Sequence, residues 1–163
     1  MNLQTRTKKI VALVAAGLLV VAVAFGAVIT LLVRGAESTP PELTAYAHGK
    51  SIQVAPLAHC SLYLEDCVEG DTAELDVPVG YPLQISVPKA ISEAPWRIVE
   101  VYASPEGEPV LDARNFTPGS TTSVTVESTE EQQLVGVEIQ LPSAVVDDQG
   151  FPHVRAVWSI ATA

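Results

Sequence analysis

A serine followed three residues later by a lysine occurs at Ser86-Val87-Pro88-Lys89. The same S-x-x-K spacing carries the nucleophile of penicillin-binding proteins, where it opens a helix that places the lysine one turn from the serine. Here the motif follows the alternating run Leu83, Ile85 and Val87, which predicts a strand, and it contains a proline. The companion S-D-N and K-T-G motifs are missing from the sequence. We therefore predict no serine nucleophile here.

Other catalytic patterns are also missing. His59 and Ser61 are two residues apart, so on a strand they share a face without meeting productively, and no carboxylate is placed to orient the histidine. The sequence holds no H-E-x-x-H, G-x-S-x-G, phosphate-loop, dinucleotide-binding or haem-attachment motif. These observations predict a protein that is not an enzyme and that uses no cofactor.

Acidic residues gather at two predicted turns. The first group comprises Glu65, Asp66, Glu69 and Asp71, and the second is the pair Asp147-Asp148. Carboxylate oxygens could hold calcium, but neither spacing matches an EF-hand loop. We favour solvated turns, with a domain that binds a small ligand or divalent cation as the alternative function.

Most of the hydrophobic excess in this 163-residue chain lies in one run, residues 10–33, which holds no charge and no proline. A helix of that length reaches about 36 Å and can span a bilayer. A cleaved signal peptide is the competing interpretation, since Ala45-Tyr46-Ala47 has the small-x-small form of a cleavage site. That triplet lies a dozen residues beyond the run, and the run exceeds a usual signal-peptide core, so we predict an uncleaved transmembrane helix.

Basic residues set the predicted orientation. Arg6, Lys8 and Lys9 precede the run and Arg34 alone follows it, so the positive-inside rule places residues 1–9 in the cytoplasm. Residues 34–41 then form a polar linker ending in two prolines, and residues 42–163 form one extracytoplasmic domain. The seven residues from Gly35 to Pro41 reach at most about 25 Å, which keeps the domain close to the membrane.

The predicted outer part is strongly acidic. From Gly35 onward, five basic residues stand against all 19 acidic ones, a formal charge of −14. This balance argues against nucleic acid as a partner, because neutralising phosphates needs clustered lysine and arginine. The simplest role of the charge is solubility.

Cys60 and Cys67 are the only cysteines, and both fall on the predicted outer side, where a disulfide persists. We predict that they pair and close the short loop from Ser61 to Asp66. The six intervening residues do not resemble a redox C-x-x-C pair. Zinc binding with His59 would need two further ligands, so a metal site and unpaired thiols are the weaker alternatives.

Alternating apolar residues and scattered prolines predict strands throughout the outer part. The alternating sets are Ile52 and Val54; Ala73, Leu75 and Val77; Leu83, Ile85 and Val87; Val124 and Val126; Val135, Val137, Ile139 and Leu141; and Val154, Ala156, Trp158 and Ile160. Turn signals recur about every ten residues, which favours an all-β, immunoglobulin-like antiparallel β-sandwich preceded by one transmembrane helix.

Two local features of this sandwich can be predicted. Residues 95–102 form a central strand anchored by Trp96, with its buried face undecided because Ile98 and the pair Val99 and Val101 are all apolar. One helical turn is expected at Lys89 to Glu93.

Three residues are candidates for a contact patch: Tyr46, His48 and Tyr63. They lie near the predicted disulfide and the membrane-proximal end, where half-exposed aromatic side chains could meet a partner. The alternative is structural, with the tyrosines capping the core and His48 making a local hydrogen bond.

Several short motifs resemble those of an actinobacterial family of single-pass envelope proteins whose shared domain has no assigned function. They are residues 40–49, Pro-Pro-Glu-Leu-Thr-Ala-Tyr-Ala-His-Gly; Val54-Ala55-Pro56 leading to Cys60; and Tyr81-Pro82-Leu83 through Pro88 to Ala94-Pro95-Trp96. The resemblance extends from the anchor to the final strand. It implies a Gram-positive envelope location and transfers no active site.

The sequence therefore predicts a membrane-anchored accessory module that contacts lipid through its helix. Its expected partner is a protein of the membrane or envelope, reached through a sandwich face or an exposed strand edge.

Overall fold

The computed structural model describes residues 5–35, 39–104 and 107–162, and within the first range it describes the side chains of residues 7, 8 and 10–31. The chain divides into two compact units, Met1–Thr39 and Pro40–Ala163, which are described separately.

The first unit is the helix α1, Thr5–Gly35. Its stretch Ile10–Leu31 has a mean hydropathy of 2.8 and exposes every side chain. By length and composition this stretch could cross a membrane, and a signal sequence would meet the same criteria. The helix includes residues 34 and 35, so the predicted linker 34–41 begins later than expected. Linker residues 36–38 lie outside the described residues.

The second unit is built of strands and one helical turn. The strands are β1 (Leu43–Ala47), β2 (Lys50–Val54), β3 (Ala58–His59), β4 (Val68–Glu69), β5 (Ala73–Glu74), β6 (Leu83–Ser86), β7 (Trp96–Tyr102), β8 (Val110–Phe116), β9 (Ser123–Val126), β10 (Leu134–Val146) and β11 (Pro152–Ala161). The helical turn predicted between β6 and β7 is α2, Lys89–Ser92.

The strands form two sheets. The four-stranded sheet has the order β2-β1-β6-β9. Six strands of the seven-stranded sheet have the order β4-β3-β11-β10-β7-β8, and the seventh, β5, pairs with β11. All these neighbours are antiparallel, whereas β5 adds to β11 in parallel. The predicted all-β architecture with one preceding apolar helix is confirmed.

The core lies between the sheets and consists mainly of the residues that alternate along each strand. Leu83, Ile85 and Val87 are buried, as are Ala156, Trp158 and Ile160. Trp158 also donates from Nε1 to the backbone oxygen of Pro41 at 2.8 Å, which satisfies its indole in the interior.

Strand β10 departs from the predicted alternation at its start. A register shift between Leu134 and Gly136 turns Leu134 into the core and leaves Val135 only half-buried. The bulge adds one residue to the strand, so the face changes on either side of it. The alternation holds from Val137 to Leu141.

The undecided facing of β7 resolves in favour of Ile98. Trp96, Ile98, Glu100 and Tyr102 point inward and are buried, which leaves the intervening valines on the outer face. Glu100 is only 4% exposed. A carboxylate in the interior is costly unless it is paired and hydrogen-bonded. The partners of Glu100 therefore determine whether β7 can turn this side toward the core.

Arg114 on β8 and Tyr102 supply those partners. Nε of Arg114 donates to Oε1 of Glu100 at 2.9 Å, and a second guanidinium nitrogen contacts the same oxygen. The hydroxyl of Tyr102 donates to Oε2 at 2.9 Å. Both carboxylate oxygens are therefore satisfied.

Arg114 also links the two sheets through their edge strands β8 and β9. Its guanidinium lies 3.4 Å from the backbone oxygen of Thr125 on β9, which is the edge strand of the other sheet. Strand β8 is otherwise exposed along nearly its whole length, and it is an edge strand of the seven-stranded sheet. Arg114 thus secures an edge strand that would otherwise be held mainly by its pairing with β7.

Cys60 and Cys67 form the predicted disulfide and join β3 to β4. Inside the loop, Ser61 accepts the amide of Glu65 on its side-chain oxygen, and its own amide donates to the backbone oxygen of Glu65. Leu64 and Asp66 adopt positive φ angles of 64° and 52°, which the short covalent loop holds in place.

Removing the guanidinium should destabilise the domain. We expect Arg114→Ala to lower the free energy of unfolding by about 2 to 3 kcal/mol, because Glu100 then stays buried without its cationic partner. Urea unfolding of the full chain in detergent, followed by tryptophan fluorescence, measures the change. The matched control Lys50→Ala removes an exposed cation and should change stability by less than about 0.5 kcal/mol. Equal effects of both substitutions would contradict the role given to the pair.

Stability should also fall in alkali through Tyr102. Burial and then the hydrogen bond to Glu100 raise the pKa of Tyr102 to about 12. An unfolded tyrosine ionises near pH 10, so this contribution is complete below about pH 10 and is lost as the pH rises to about 12. Tyr102→Phe should flatten the fall in stability between these values in unfolding curves taken at each pH. The exposed residue Tyr63 gives the control, since Tyr63→Phe should leave the slope unchanged.

Candidate functional site

The three residues predicted to form a contact patch lie on different sheets. Tyr46 is on the outer face of β1, and His48 lies in the β1–β2 turn at a φ of 42°. Tyr63 is exposed in the disulfide loop of the other sheet. Among the described residues, His48 contacts Tyr81 edge-on at 4.2 Å, and no ring contact joins Tyr63 to either of the other two. A shared patch stays a prediction.

The acidic turns are organised by local hydrogen bonds. The side chain of Asp147 accepts the amides of Gln149 and Phe151 at 2.9 and 2.8 Å, as expected for a residue that shapes its own turn. Within the described part of the chain, no group of three or more histidine, cysteine or acidic residues is placed to hold a metal ion.

Ser86 and Lys89, the residues of the S-x-x-K motif, lie on different elements. Ser86 ends β6 on the outer face, and Lys89 begins α2 beyond Pro88. His59 lies on β3 against Trp158, and burial and then the nearby Arg155 lower its pKa. Among the described contacts, no side-chain hydrogen bond joins Ser86 to Lys89.

A different surface stands out: the outer face of β8, β7, β10 and β11, which we call the apolar face. Its first row across the strands is Leu111, Val101, Gly136 and Ala161, and its second is Ala113, Val99, Glu138 and Ser159. The third row is Asn115, Arg97, Gln140 and Val157. Leu111 is 64% exposed, and the central valines are half-buried only by their neighbours on the sheet.

The outer face of the four-stranded sheet has the opposite character. Its rows are Gln53, Thr44, Ser86 and Ser123, then Ser51, Tyr46, Gln84 and Thr125. Apart from the tyrosine, these are hydroxyl and amide side chains, which is the usual composition for the solvated side of an antiparallel sheet. The contrast marks the apolar face as the unusual one.

A groove of about 310 Å³ opens at the third row of the apolar face. We call it the Trp96 groove. Its wall consists of aromatic, proline and aliphatic residues: Pro95, Trp96, Phe116, Leu141, Pro142, Phe151, Pro152 and Val154. Trp96 and Phe116 are stacked with ring centroids 4.1 Å apart, and Phe151 is 66% exposed. The volume lies at the lower end of those found for ligand pockets.

Three polar side chains complete the groove: Arg97, Asn115 and Gln140. Nε of Arg97 donates to Oε1 of Gln140 at 2.7 Å, and Nε2 of Gln140 donates to Glu138 at 2.6 Å. No acidic residue lines the groove among the described residues. Nε1 of Trp96 is buried and has no hydrogen-bond partner within the described part of the chain.

Sequence reasoning missed both the apolar face and its groove. The signal for the face was the pair Val99 and Val101, which are apolar on the side of the strand that Ile98 does not use. The groove combines residues from β7, β8, β10 and β11, and their meeting depends on strand pairings between distant parts of the chain.

No solved structure matches the chain. An uncharacterized protein of Mycobacterium bovis and uncharacterized proteins of two Mycobacterium tuberculosis strains are each 38% identical over 150 residues. Each alignment covers 87% of this chain and 90% of the relative. A family model described as a protein of unknown function, DUF2771, matches residues 36–163. The actinobacterial resemblance is thereby confirmed, and the chain belongs to the DUF2771 family.

Proposed function

We propose that this protein is a membrane-anchored, extracytoplasmic interaction module that binds a protein of the cell envelope through the apolar face and performs no catalysis itself. The observation that carries the proposal is the set of valine, leucine and alanine side chains on that face, in a chain whose formal charge from Gly35 onward is −14.

The position of β1 supports an uncleaved anchor. This strand pairs with both β2 and β6, and its residues Leu43, Ala45 and Ala47 are fully buried. Cleavage after Ala47 would remove a central strand of the four-stranded sheet together with its core side chains. The triplet that resembles a cleavage site is therefore better explained as an alternating strand, which leaves α1 joined to the domain.

Physical chemistry supports docking through the apolar face. Arg97 and Glu138 are its charged residues across these four strands, and Gln140 bonds to both. A partner that covers the face therefore buries valine, leucine and alanine surface beside a polar cluster whose members are hydrogen-bonded through Gln140. Interface cores have this composition, with charged residues depleted.

The strand order supports the immunoglobulin-like interpretation as well. Strands β7, β10 and β11 are adjacent, as the C, F and G strands are in that fold, and β8 extends the sheet beside β7. Strands β1, β6 and β9 occupy the positions of A, B and E. Trp96 on β7 matches the buried tryptophan of strand C, although the disulfide here joins a hairpin within one sheet.

The anchor predicts an uncleaved product with its N-terminus inside. Intact mass measurement of protein extracted from membranes should include residues 10–33, and protease added outside intact cells should digest the domain while sparing an N-terminal fragment. A mature product that begins beyond residue 34 would contradict the anchor.

The docking face predicts where a partner can be captured. A photo-crosslinking amino acid at Leu111 should give one discrete adduct in intact cells, identified by mass spectrometry as a membrane or envelope protein. The same amino acid at Gln84, exposed on the other sheet, should give no such adduct. Ala113→Lys should reduce the adduct at least fivefold by placing a charge on the face, whereas Ser86→Lys should not.

Two results would contradict docking through the apolar face. One is an identical adduct pattern from Leu111 and Gln84. The other is the absence of any adduct from Leu111 in cells where the protein is folded and membrane-bound.

A further inference from the structure

The residues that line the Trp96 groove indicate what kind of ligand it could bind. We propose that it binds an extended, proline-containing segment of a protein partner, with an acidic residue next to the prolines. This inference rests on the proposed function, because it names the element of the partner that the interaction module recognises.

The wall of the groove fits proline. Exposed Phe151 and half-buried Phe116, which stacks on the buried Trp96, present aromatic surface, and aromatic-lined grooves bind proline-rich segments that are already extended. Such segments lose little conformational entropy on binding, because the polyproline II conformation is populated before contact. A groove of about 310 Å³ suits a short extended segment inserted from a larger surface.

The polar groups of the groove are mostly donors. Asn115 presents an amide, and Arg97 retains guanidinium N–H groups beyond its bond to Gln140. Proline-rich segments carry carbonyl acceptors and lack N–H groups at their prolines, so they complement a site of this kind.

The charge of the groove selects an acidic neighbour. Arg97 is the charged residue that lines it, whereas the domain as a whole is acidic. Carboxylates farther than about 8 Å are screened at physiological salt, and Glu138, which bonds Gln140, does not line the groove, so Arg97 is the charged group that a bound segment contacts. A glutamate beside the prolines can pair with the guanidinium, and a lysine there cannot.

A polyhydroxylated glycan fits this site less well. Its many hydroxyl groups need many hydrogen-bond partners, and burying them unpaired is costly. The groove offers three polar side chains, of which Arg97 and Gln140 are already bonded to each other. The lining therefore favours the peptide.

The two tryptophans make the proposal directly measurable. In the ¹⁵N-labelled full chain in detergent micelles, the indole N–H of Trp96 reports on the groove. The indole of Trp158, bonded to Pro41 at 2.8 Å, is the internal control. The probe is a synthetic twelve-residue peptide of three Pro-Pro-Glu-Pro repeats, compared with an analogue in which alanine replaces proline and another in which lysine replaces glutamate.

The acidic proline peptide should shift the Trp96 signal in a saturable titration and leave the Trp158 signal in place. The alanine analogue should bind at least tenfold more weakly. Phe151→Ala should weaken binding of the proline peptide at least tenfold while preserving the fold, because that ring is mostly exposed. The matched control Tyr46→Ala, an exposed aromatic on the other sheet, should have no effect. Arg97→Gln should abolish the preference for glutamate over lysine.

Three results would overturn the inference: no shift of Trp96 at millimolar peptide, equal binding of the alanine analogue, or unchanged binding by Phe151→Ala. A shift caused by soluble cell-wall oligosaccharides and not by the peptide would overturn it too. If crosslinking through Leu111 captures a partner while the peptide fails to bind, the docking face stands and only this account of the groove fails.

Discussion

The pairing of Arg114 with the buried Glu100 is the interaction on which the functional surface depends. It lets β7 face the core with a carboxylate in its third inward position, and the same arginine links the edge strand β8 to β9 of the opposing sheet. Buried ion pairs often add little net stability, yet removing one partner is costly. The pair therefore acts chiefly as a constraint on which strand arrangement is tolerated.

The unequal widths of the two sheets extend this constraint to the surface. Because β8 is an exposed edge strand, its inward positions Asp112 and Arg114 can carry charge in contact with water. Such charges on an edge strand discourage pairing with other sheets. Strand β8 is thus protected at its edge while its outward residues Leu111 and Ala113 extend the apolar face. This distribution favours the proposed recognition through the apolar face over recognition through the edge.

Much of the fold could be predicted because it depends on local patterns. The alternation of Leu83, Ile85 and Val87 specifies one buried face, the short Cys60–Cys67 separation favours a disulfide, and the length of the apolar run specifies a helix. The facing of β7 could not be predicted, since it depends on a partner of Glu100 that is contributed by a strand fourteen residues later. The bulge near Leu134 escaped prediction for a similar reason: two apolar neighbours, Leu134 and Val135, both fit an inward position.

The site was harder to predict than the fold because its residues carry no catalytic signature. Valine and alanine on an outer strand face look the same in a sequence as valine and alanine in a core, and only the pairing of β7 with β8 and β10 shows which side they occupy. An acidic domain gains solubility from its carboxylates and also loses the ability to bind anionic surfaces. In the rows described above, both outer sheet faces carry few carboxylates, but the apolar face also carries valine, leucine and alanine. Composition and strand facing therefore point together to that surface.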